Sequence, residues 1–177
     1  CTAGSRLFIH EDIFDEFLKK LKFKLSQLKI GNPLDEETDI GTIINKKQYD
    51  KVCSYIKEGL ENENSTLICG GLPPLEGDLS KGYFTLPTIF SNTSNNWRLA
   101  KEEIFGPVLV AIKWKNEQDV INMANESHYG LAAYVWTKNL TKAINMANKI
   151  ESGWIQINQG LGQVPGHSYG GFKQSGL

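Results

Sequence analysis

The chain has 177 residues, 40% of them hydrophobic, and its 19 basic and 20 acidic side chains give a formal net charge of −1. This length allows a buried core and gives one domain as the expected count. A balanced charge argues against nucleic acid as a partner, because phosphate binding needs a basic excess. No apolar run approaches the roughly 20 residues that span a bilayer, so we expect no membrane partner either.

The first half of the chain predicts a strand followed by two helices. Residues 6–9 are apolar enough for a short strand. Apolar side chains then recur at three- and four-residue steps from Phe14 to Leu28, which predicts a helix that ends before Gly31 and Pro33. A polar connection over 31–42 leads to a second helix over 45–60.

The rest of the chain alternates between predicted strands and predicted helices. Residues 66–69 and 84–90 form short apolar runs, and residues 108–112 are apolar on both faces, as in a strand covered on both sides. The remaining pattern predicts a helix, a strand, a helix and a strand, at 117–126, 131–136, 140–150 and 154–158. This alternation predicts an α/β fold with a mainly parallel sheet and helices on both of its faces.

The three cysteines differ in their surroundings. Their odd number and their spacing fit neither a zinc site nor a redox pair, so we expect no metal and a reducing, cytoplasmic compartment. Cys53 and Cys69 lie in apolar patterns and are expected to be small buried hydrophobic residues. Cys1 stands outside such a pattern, and the small residues 2–5 after it leave room for backbone N–H groups.

Taken alone, Cys1 fits more than one chemistry. An N-terminal nucleophile hydrolase would use the terminal amine to activate the thiol, but that class is built around antiparallel sheets. A cysteine–histidine hydrolase would need one of His10, His128 or His167, and no spacing in the sequence supports that pairing.

Other motifs in the chain favour one of the possible chemistries of Cys1. Residues 1–9 read Cys-Thr-Ala-Gly-Ser-Arg-Leu-Phe-Ile, and residues 102–108 read Glu-Glu-Ile-Phe-Gly-Pro-Val. Further motifs lie at 30–41, 129–133, 153–158 and 169–176. All of these segments resemble motifs of the aldehyde dehydrogenase family, and they follow one another in the order that the family has. The resemblance covers essentially the whole chain, and the 102–108 motif is its most specific part.

The resemblance implies a catalytic-domain fragment, over residues 1–177, of an enzyme that oxidises a small aldehyde to a carboxylic acid. The cofactor would be NAD or NADP, and Cys1 would be the nucleophile. A thiolate suits this role because it adds readily to a carbonyl and forms a thioester that water can hydrolyse. The sequence identifies neither the aldehyde nor which of the two cofactors is used.

The resemblance also implies roles for individual residues. Glu103 would bind the cofactor's ribose hydroxyls, as acidic residues do in other dinucleotide sites, and Phe105 would flank the nicotinamide. Gln48 and Lys51 match positions on a helix that faces the adenosine ribose.

A substrate tunnel is implied as well, with Thr2, Leu161, Gln163 and Tyr169 in its wall. Common family members often carry an aromatic residue or proline where this chain has Gln163, so a polar wall is expected here.

In the family, the cofactor domain, an oxyanion-binding asparagine and a water-activating glutamate precede the cysteine, and an oligomerisation strand follows the last motif. None of these is among the 177 residues. We therefore expect the 177 residues to be inactive alone and the parent enzyme to be a homo-oligomer. The alternative is a non-catalytic binding or scaffold domain that keeps the dehydrogenase fold.

Overall fold

The computed structural model describes residues 2–160, 162 and 165–176. The chain divides into two compact units. The large unit is Ser5–Lys113, and the small unit combines Cys1–Gly4 with Trp114–Leu177. The assignment of the whole chain to one domain stays a prediction.

In the described part of the large unit, four strands form one sheet in the order β1, β4, β3, β2. Their bounds are β1 Arg6–His10, β2 Thr66–Cys69, β3 Thr88–Ser91 and β4 Val108–Trp114. β3 runs parallel to β4, whereas β2 runs antiparallel to β3. The sheet is therefore mixed, and the α/β class predicted from the sequence is confirmed.

Helices cover both faces of this sheet. The large unit contains α1 (Phe14–Leu25), α2 (Lys46–Glu61) and α3 (Arg98–Lys101). Phe14 and Leu18 of α1 pack with Ile89 of β3 in one buried cluster. A Cβ added at Gly59 of α2 would overlap the ring of Phe90. Because successive strand residues point to opposite faces, α1 and α2 lie on opposite sides of the sheet.

Two predicted elements of the large unit are shorter than expected. α1 ends at Leu25 instead of reaching Leu28, and the hydroxyl of Ser26 donates to the carbonyl of Phe23 at 2.8 Å, a local bond that competes with the helix. The apolar run at 84–90 becomes a strand only from Thr88. Pro87 lies directly before it and has no N–H to donate to a sheet.

The small unit contains α4 Glu117–Asn125, β5 Tyr129–Gly130, β6 Ala132–Val135, α5 Leu140–Lys149, β7 Trp154–Ile157 and β8 Phe172–Lys173. β6 and β7 pair in parallel with α5 as the connection between them. The strand predicted at 131–136 is found as β6, and a separate short strand, β5, lies before it, because Gly130 pairs with Phe172 whereas Ala132 pairs with Trp154. The chain thus pairs with β8 before Leu131 and with β7 after it.

Across the described ranges, every helix is too short or too polar to cross a membrane.

Candidate functional site

A tight turn over residues 102–106 joins α3 to β4. The N–H of Glu102 bonds to the carbonyl of Arg98 at 3.0 Å and ends α3. Ile104 is only 3% exposed, so it anchors the turn in the core. A Cβ added at Gly106 would lie 2.5 Å from a methyl group of Val52, so the chain approaches α2 closely at this point. The turn therefore lies directly against α2.

Phe105 has an uncommon backbone conformation at the middle of this turn. Its φ angle is 55°, in the left-handed region that residues other than glycine rarely adopt. Its side chain is 55% exposed, although the preceding Ile104 is buried. An observed outlier of this kind costs free energy and is a reason to suspect a functional role.

Gln48 and Lys51 of α2 bind the main chain of this turn. The side-chain nitrogen of Gln48 donates to the carbonyls of Ile104, at 2.7 Å, and Phe105, at 3.2 Å. The amine of Lys51 donates to the carbonyl of Glu103 at 2.8 Å. The structure thus brings Gln48, Lys51, Glu103 and Phe105 together. It shows them in contact through backbone carbonyls, and a contact from Gln48 or Lys51 to a cofactor stays a prediction.

The carboxylate of Glu103 keeps its acceptor capacity. Glu103 is half-buried, and no hydrogen bond or ion pair reaches its side chain from any described residue. The Lys51 amine is bonded to the Glu103 carbonyl and not to its carboxylate. An ionised carboxylate can accept up to about four hydrogen bonds. The group is therefore available to a ligand that carries hydroxyl donors.

A second network supports the turn at Glu102. The hydroxyl of Tyr55, a residue that is 1% exposed, donates to the Glu102 carboxylate. Arg98 lies 4.2 Å above the Tyr55 ring and bonds to the carboxylates of Glu102, at 3.1 Å, and Glu58, at 2.7 Å. Burial raises the pKa of Tyr55, and its bond to Glu102 raises that pKa further. The same bond lowers the pKa of Glu102.

Sequence reasoning missed Tyr55 and Arg98. The available signal was the spacing of Gln48, Lys51 and Tyr55, which lie three and four residues apart and therefore share one face of α2. On that face of the helix, the sequence reasoning singled out only Gln48 and Lys51, through the family resemblance.

In the small unit, Tyr134 links two of the residues predicted for the tunnel wall. Its hydroxyl donates to the carbonyl of Thr2 at 2.7 Å. Burial raises the pKa of Tyr134, and the Tyr169 hydroxyl raises it further. The Tyr169 ring lies 5.4 Å from that of Trp154 on β7. Thr2 and Tyr169 are thus associated with one half-buried tyrosine, and Cys1, Leu161 and Gln163 lie outside the described residues.

Comparison with known proteins decides the family. The sequence profile of the Aldehyde dehydrogenase family matches residues 1–177, which is the whole chain. The chain belongs to the aldehyde dehydrogenase family. A provisionally named aldehyde dehydrogenase from Staphylococcus saprophyticus is 45% identical over 177 residues, which are 100% of this chain and 37% of that protein.

Solved structures of aldehyde dehydrogenases share this fold. Betaine aldehyde dehydrogenase from Staphylococcus aureus in complex with NAD+ is 36% identical with a TM-score of 0.94, and the match covers 100% of this chain and 35% of that one. The NAD+ complex of an aldehyde dehydrogenase from Bacillus cereus is 38% identical with a TM-score of 0.93, and the match again covers 100% and 35%. The chain thus spans about a third of the length of its relatives.

The two thiols that the structure describes have the properties of structural cysteines in this aldehyde dehydrogenase chain. Cys53 and Cys69 are unpaired and half-buried, and burial raises the pKa of both thiols. The Cys69 sulfur also lies 3.7 Å from the carbonyl of Pro87. A raised pKa leaves little nucleophilic thiolate at neutral pH. Within the described ranges, no group of three metal-binding side chains could hold a metal ion.

Proposed function

We propose that the protein containing this chain oxidises an aldehyde to a carboxylic acid with NAD or NADP, using Cys1 as the nucleophile. Membership of the aldehyde dehydrogenase family supports this function, and similar solved structures are NAD+ complexes. The observation that carries the proposal is the 102–106 turn. It carries Glu103, whose carboxylate has no partner among the described residues, two positions before the exposed Phe105.

The residues of the turn fit the proposed cofactor. Glu103 would accept hydrogen bonds from two ribose hydroxyls, because its carboxylate has no other partner among the described residues. Phe105 would offer an apolar flank to the nicotinamide ring, and its 55% exposure leaves that face open. When bound, the cofactor supplies a hydride acceptor for the substrate. The protein's task is to orient that acceptor.

Cys1 would carry the covalent chemistry. Its thiolate adds to the aldehyde carbon and forms a thiohemiacetal, whose oxygen holds the negative charge. Loss of hydride from the same carbon re-forms the C=O bond and gives a thioester, a two-electron oxidation balanced by reduction of the cofactor. Water then attacks the thioester, which releases the carboxylic acid and restores the thiol. This cycle needs a thiol of higher thiolate content than Cys53 or Cys69.

The substrate is proposed to be a small aldehyde that passes a wall formed by Thr2, Leu161, Gln163 and Tyr169. The bond from Tyr134 to the Thr2 carbonyl supports this assignment, because it holds the residue that follows Cys1 in the sequence. The bond fixes Thr2 by its main chain and leaves its side chain uncommitted to that contact.

The proposal extends to the setting of the parent enzyme. The family resemblance supports a homo-oligomer, and the unpaired Cys53 and Cys69 suit the reducing conditions of a cytoplasm. A net charge of −1 argues against a nucleic-acid partner. The inactivity of the 177 residues alone stays a prediction.

The test uses the full-length protein with a panel of aldehydes and both cofactors. We expect aldehyde-dependent formation of NADH or NADPH. Glu103→Gln should weaken cofactor binding by about 1.5–3 kcal/mol, as expected for a bond to a charged group. Its unfolding free energy should stay the same, because the Glu103 side chain has no described partner. Calorimetric titration with each cofactor measures the affinity.

Glu63→Gln is the matched control, since Glu63 is exposed and lies in the loop after α2. It should leave cofactor affinity unchanged. Failure of the full-length protein to oxidise any aldehyde would favour the non-catalytic scaffold domain. Unchanged cofactor affinity in Glu103→Gln would show that Glu103 does not bind the cofactor.

A further inference from the structure

The two successive glutamates of the turn, Glu102 and Glu103, have different partners. The carboxylate of Glu102 accepts hydrogen bonds from the Tyr55 hydroxyl and, at 3.1 Å, from Arg98 Nε. The carboxylate of Glu103 accepts none from any described residue. Glu102 has an extended backbone, and an extended residue sends its side chain and that of the next residue to opposite sides. One carboxylate is therefore held on α2, and the other is left for a ligand.

Arg98 lies at the centre of the network around Glu102. Its guanidinium lies 4.2 Å from the centre of the Tyr55 ring and donates a second bond to Glu58 of α2 at 2.7 Å. The carbonyl of Arg98 also accepts the N–H of Glu102 at 3.0 Å, so the side chain and the main chain of one residue both bind Glu102. A planar guanidinium with a fixed fork of donors suits two acceptors at once. Arg98 thereby ties α3 and the start of the turn to α2.

Burial restricts where Glu102 can lie. Tyr55 is only 1% exposed, so little water can take the place of Glu102 as the partner of its hydroxyl. A buried donor that is left without a partner costs its full desolvation penalty. The Tyr55 hydroxyl is also the largest cause of the lowered pKa of Glu102, so the carboxylate stays ionised and remains an acceptor. Leu99 before it and Ile104 after it are both buried, which limits movement on either side.

We propose that Glu102 is a positioning residue: Tyr55 and Arg98 fix its carboxylate on α2, so that the next residue, Glu103, presents its own carboxylate to the ribose of the cofactor. The two glutamates thus divide the work, one as an anchor and one as a ligand. This inference rests on the proposed function for the ligand of Glu103, and on the structure alone for the network. Tyr55 and Arg98 act on the cofactor through Glu102 and Glu103.

Two substitutions weaken the anchor without changing the ligand residue. Tyr55→Phe removes one hydroxyl and keeps the ring. Arg98→Met removes the charge and keeps an unbranched apolar stem, which is the part of arginine that packs. Ile121→Val is the control for lost stability, because Ile121 is a buried residue of α4 in the small unit, and removing one methylene group from the core also destabilises a protein.

The first measurement needs no cofactor. Hydrogen–deuterium exchange on the full-length protein without ligand should rise in the peptides that cover residues 98–106 in Tyr55→Phe and in Arg98→Met. Ile121→Val should leave these peptides unchanged. The result depends on the network alone, whether or not the protein oxidises aldehydes. Unchanged exchange over 98–106 in both anchor variants would overturn the inference.

The second measurement is a double-mutant cycle between Tyr55→Phe and Glu103→Gln, with the affinity for NAD+ and for NADP+ read by calorimetric titration. We expect Tyr55→Phe to weaken binding of the cofactor that the protein uses about three- to tenfold, the size of one ordinary hydrogen bond. In the Glu103→Gln background it should have almost no further effect on affinity, because both substitutions act through one carboxylate. Its effect on the free energy of unfolding should be the same in both backgrounds. A residue that served stability alone would not show this separation.

The outcomes distinguish the inference from the proposed function. Additive losses of affinity in the cycle would show that the network does not act through Glu103 and would contradict the inference. An equal loss of affinity in Ile121→Val would also contradict it, because lost stability would then be the cause. If the unmodified full-length protein bound neither NAD+ nor NADP+, the proposed function would be wrong, whatever the exchange over 98–106 showed.

Discussion

The two regions that contain the proposed site residues are held in different ways. The 102–106 turn of the large unit is held by side chains, since Gln48, Lys51 and Tyr55 of α2 all donate to it. The 168–176 segment of the small unit is held by side-chain bonds of Ser175 and Lys173 and, in addition, by the close approach of main chain to main chain. A Cβ added at Gly153 would overlap the Gly170 carbonyl, and one at Gly171 would overlap that of Ser175.

This difference decides which substitutions each region tolerates. A turn held by long side chains loses one bond at a time when those side chains change. Where main chain packs directly on main chain there is no room for a side chain, so such a segment also fails when a side chain is added. The first region is therefore sensitive to truncation and the second also to insertion of volume.

The largest effect should come from Gly153→Ala. The added methyl group would overlap the main chain at Gly170, which cannot move aside as the end of a flexible side chain could. We expect a loss of about 2–3 kcal/mol in the free energy of unfolding, in the range of other overpacked sites. Urea denaturation measures it.

Gly170→Ala is the matched control, because a Cβ at Gly170 would meet nothing within 4 Å. It should change stability by less than about 1 kcal/mol, and reduced freedom of the unfolded chain could make the change favourable. Equal losses in the two variants would show that overlap with the main chain does not cause the loss in Gly153→Ala.

Smaller effects should come from two tyrosine hydroxyls, one in each unit, of which Tyr55 is buried and Tyr134 is half-buried. Tyr55→Phe removes a bond to the Glu102 carboxylate, and Tyr134→Phe removes a bond to the Thr2 carbonyl. We expect losses of about 1.5–3 kcal/mol for a bond to a charged acceptor and about 0.5–1.5 kcal/mol for a neutral one. The exposure of the Glu102 carboxylate places the first value towards its lower end. Thermal or urea unfolding at neutral pH compares them.

The pH dependence of these two variants sharpens the comparison. The Tyr55 hydroxyl lowers the pKa of Glu102 in the folded protein, so this stabilisation is present above the ordinary value of 4.5 and is lost as the pH falls through the lowered pKa. The difference between Tyr55→Phe and the unmodified protein should therefore shrink below pH 4.5. Tyr134→Phe has no such carboxylate, and its difference should not show this loss. If the difference in unfolding free energy between Tyr55→Phe and the unmodified protein did not change with pH, the bond to Glu102 could not be its cause.

The elements that the sequence predicted well are those with a clear period. The second helix was expected over 45–60 and is found at Lys46–Glu61, because the capping Asn45 and the buried Val52 and Ile56 mark its start and its inner face. The break at Leu131 was not predictable, because it depends on which strands lie beside Gly130 and Ala132. Hydrophobic patterns report burial and not the identity of the neighbour.

The site shows the same limit. The motif at 102–108 implied cofactor contacts for Glu103 and Phe105, and the resemblance implied that Gln48 and Lys51 lie on a helix facing the adenosine ribose. The bonds from Gln48 to the carbonyls of Ile104 and Phe105 could not be predicted, because they join residues more than fifty positions apart and involve main-chain atoms, which no residue pattern records.

The central claim is that Cys1 is the nucleophile, and selective labelling tests it most directly. Burial raises the pKa of the Cys53 and Cys69 thiols, so both carry little thiolate at neutral pH. In the full-length protein, a slow alkylating reagent should modify Cys1 first, with enzymatic activity falling in step with that modification as mapped by mass spectrometry. Cys1→Ala should abolish oxidation, whereas Cys53→Ala and Cys69→Ala should lower stability more than rate. Loss of activity with Cys53 or Cys69 modified first, and Cys1 still unmodified, would contradict the account.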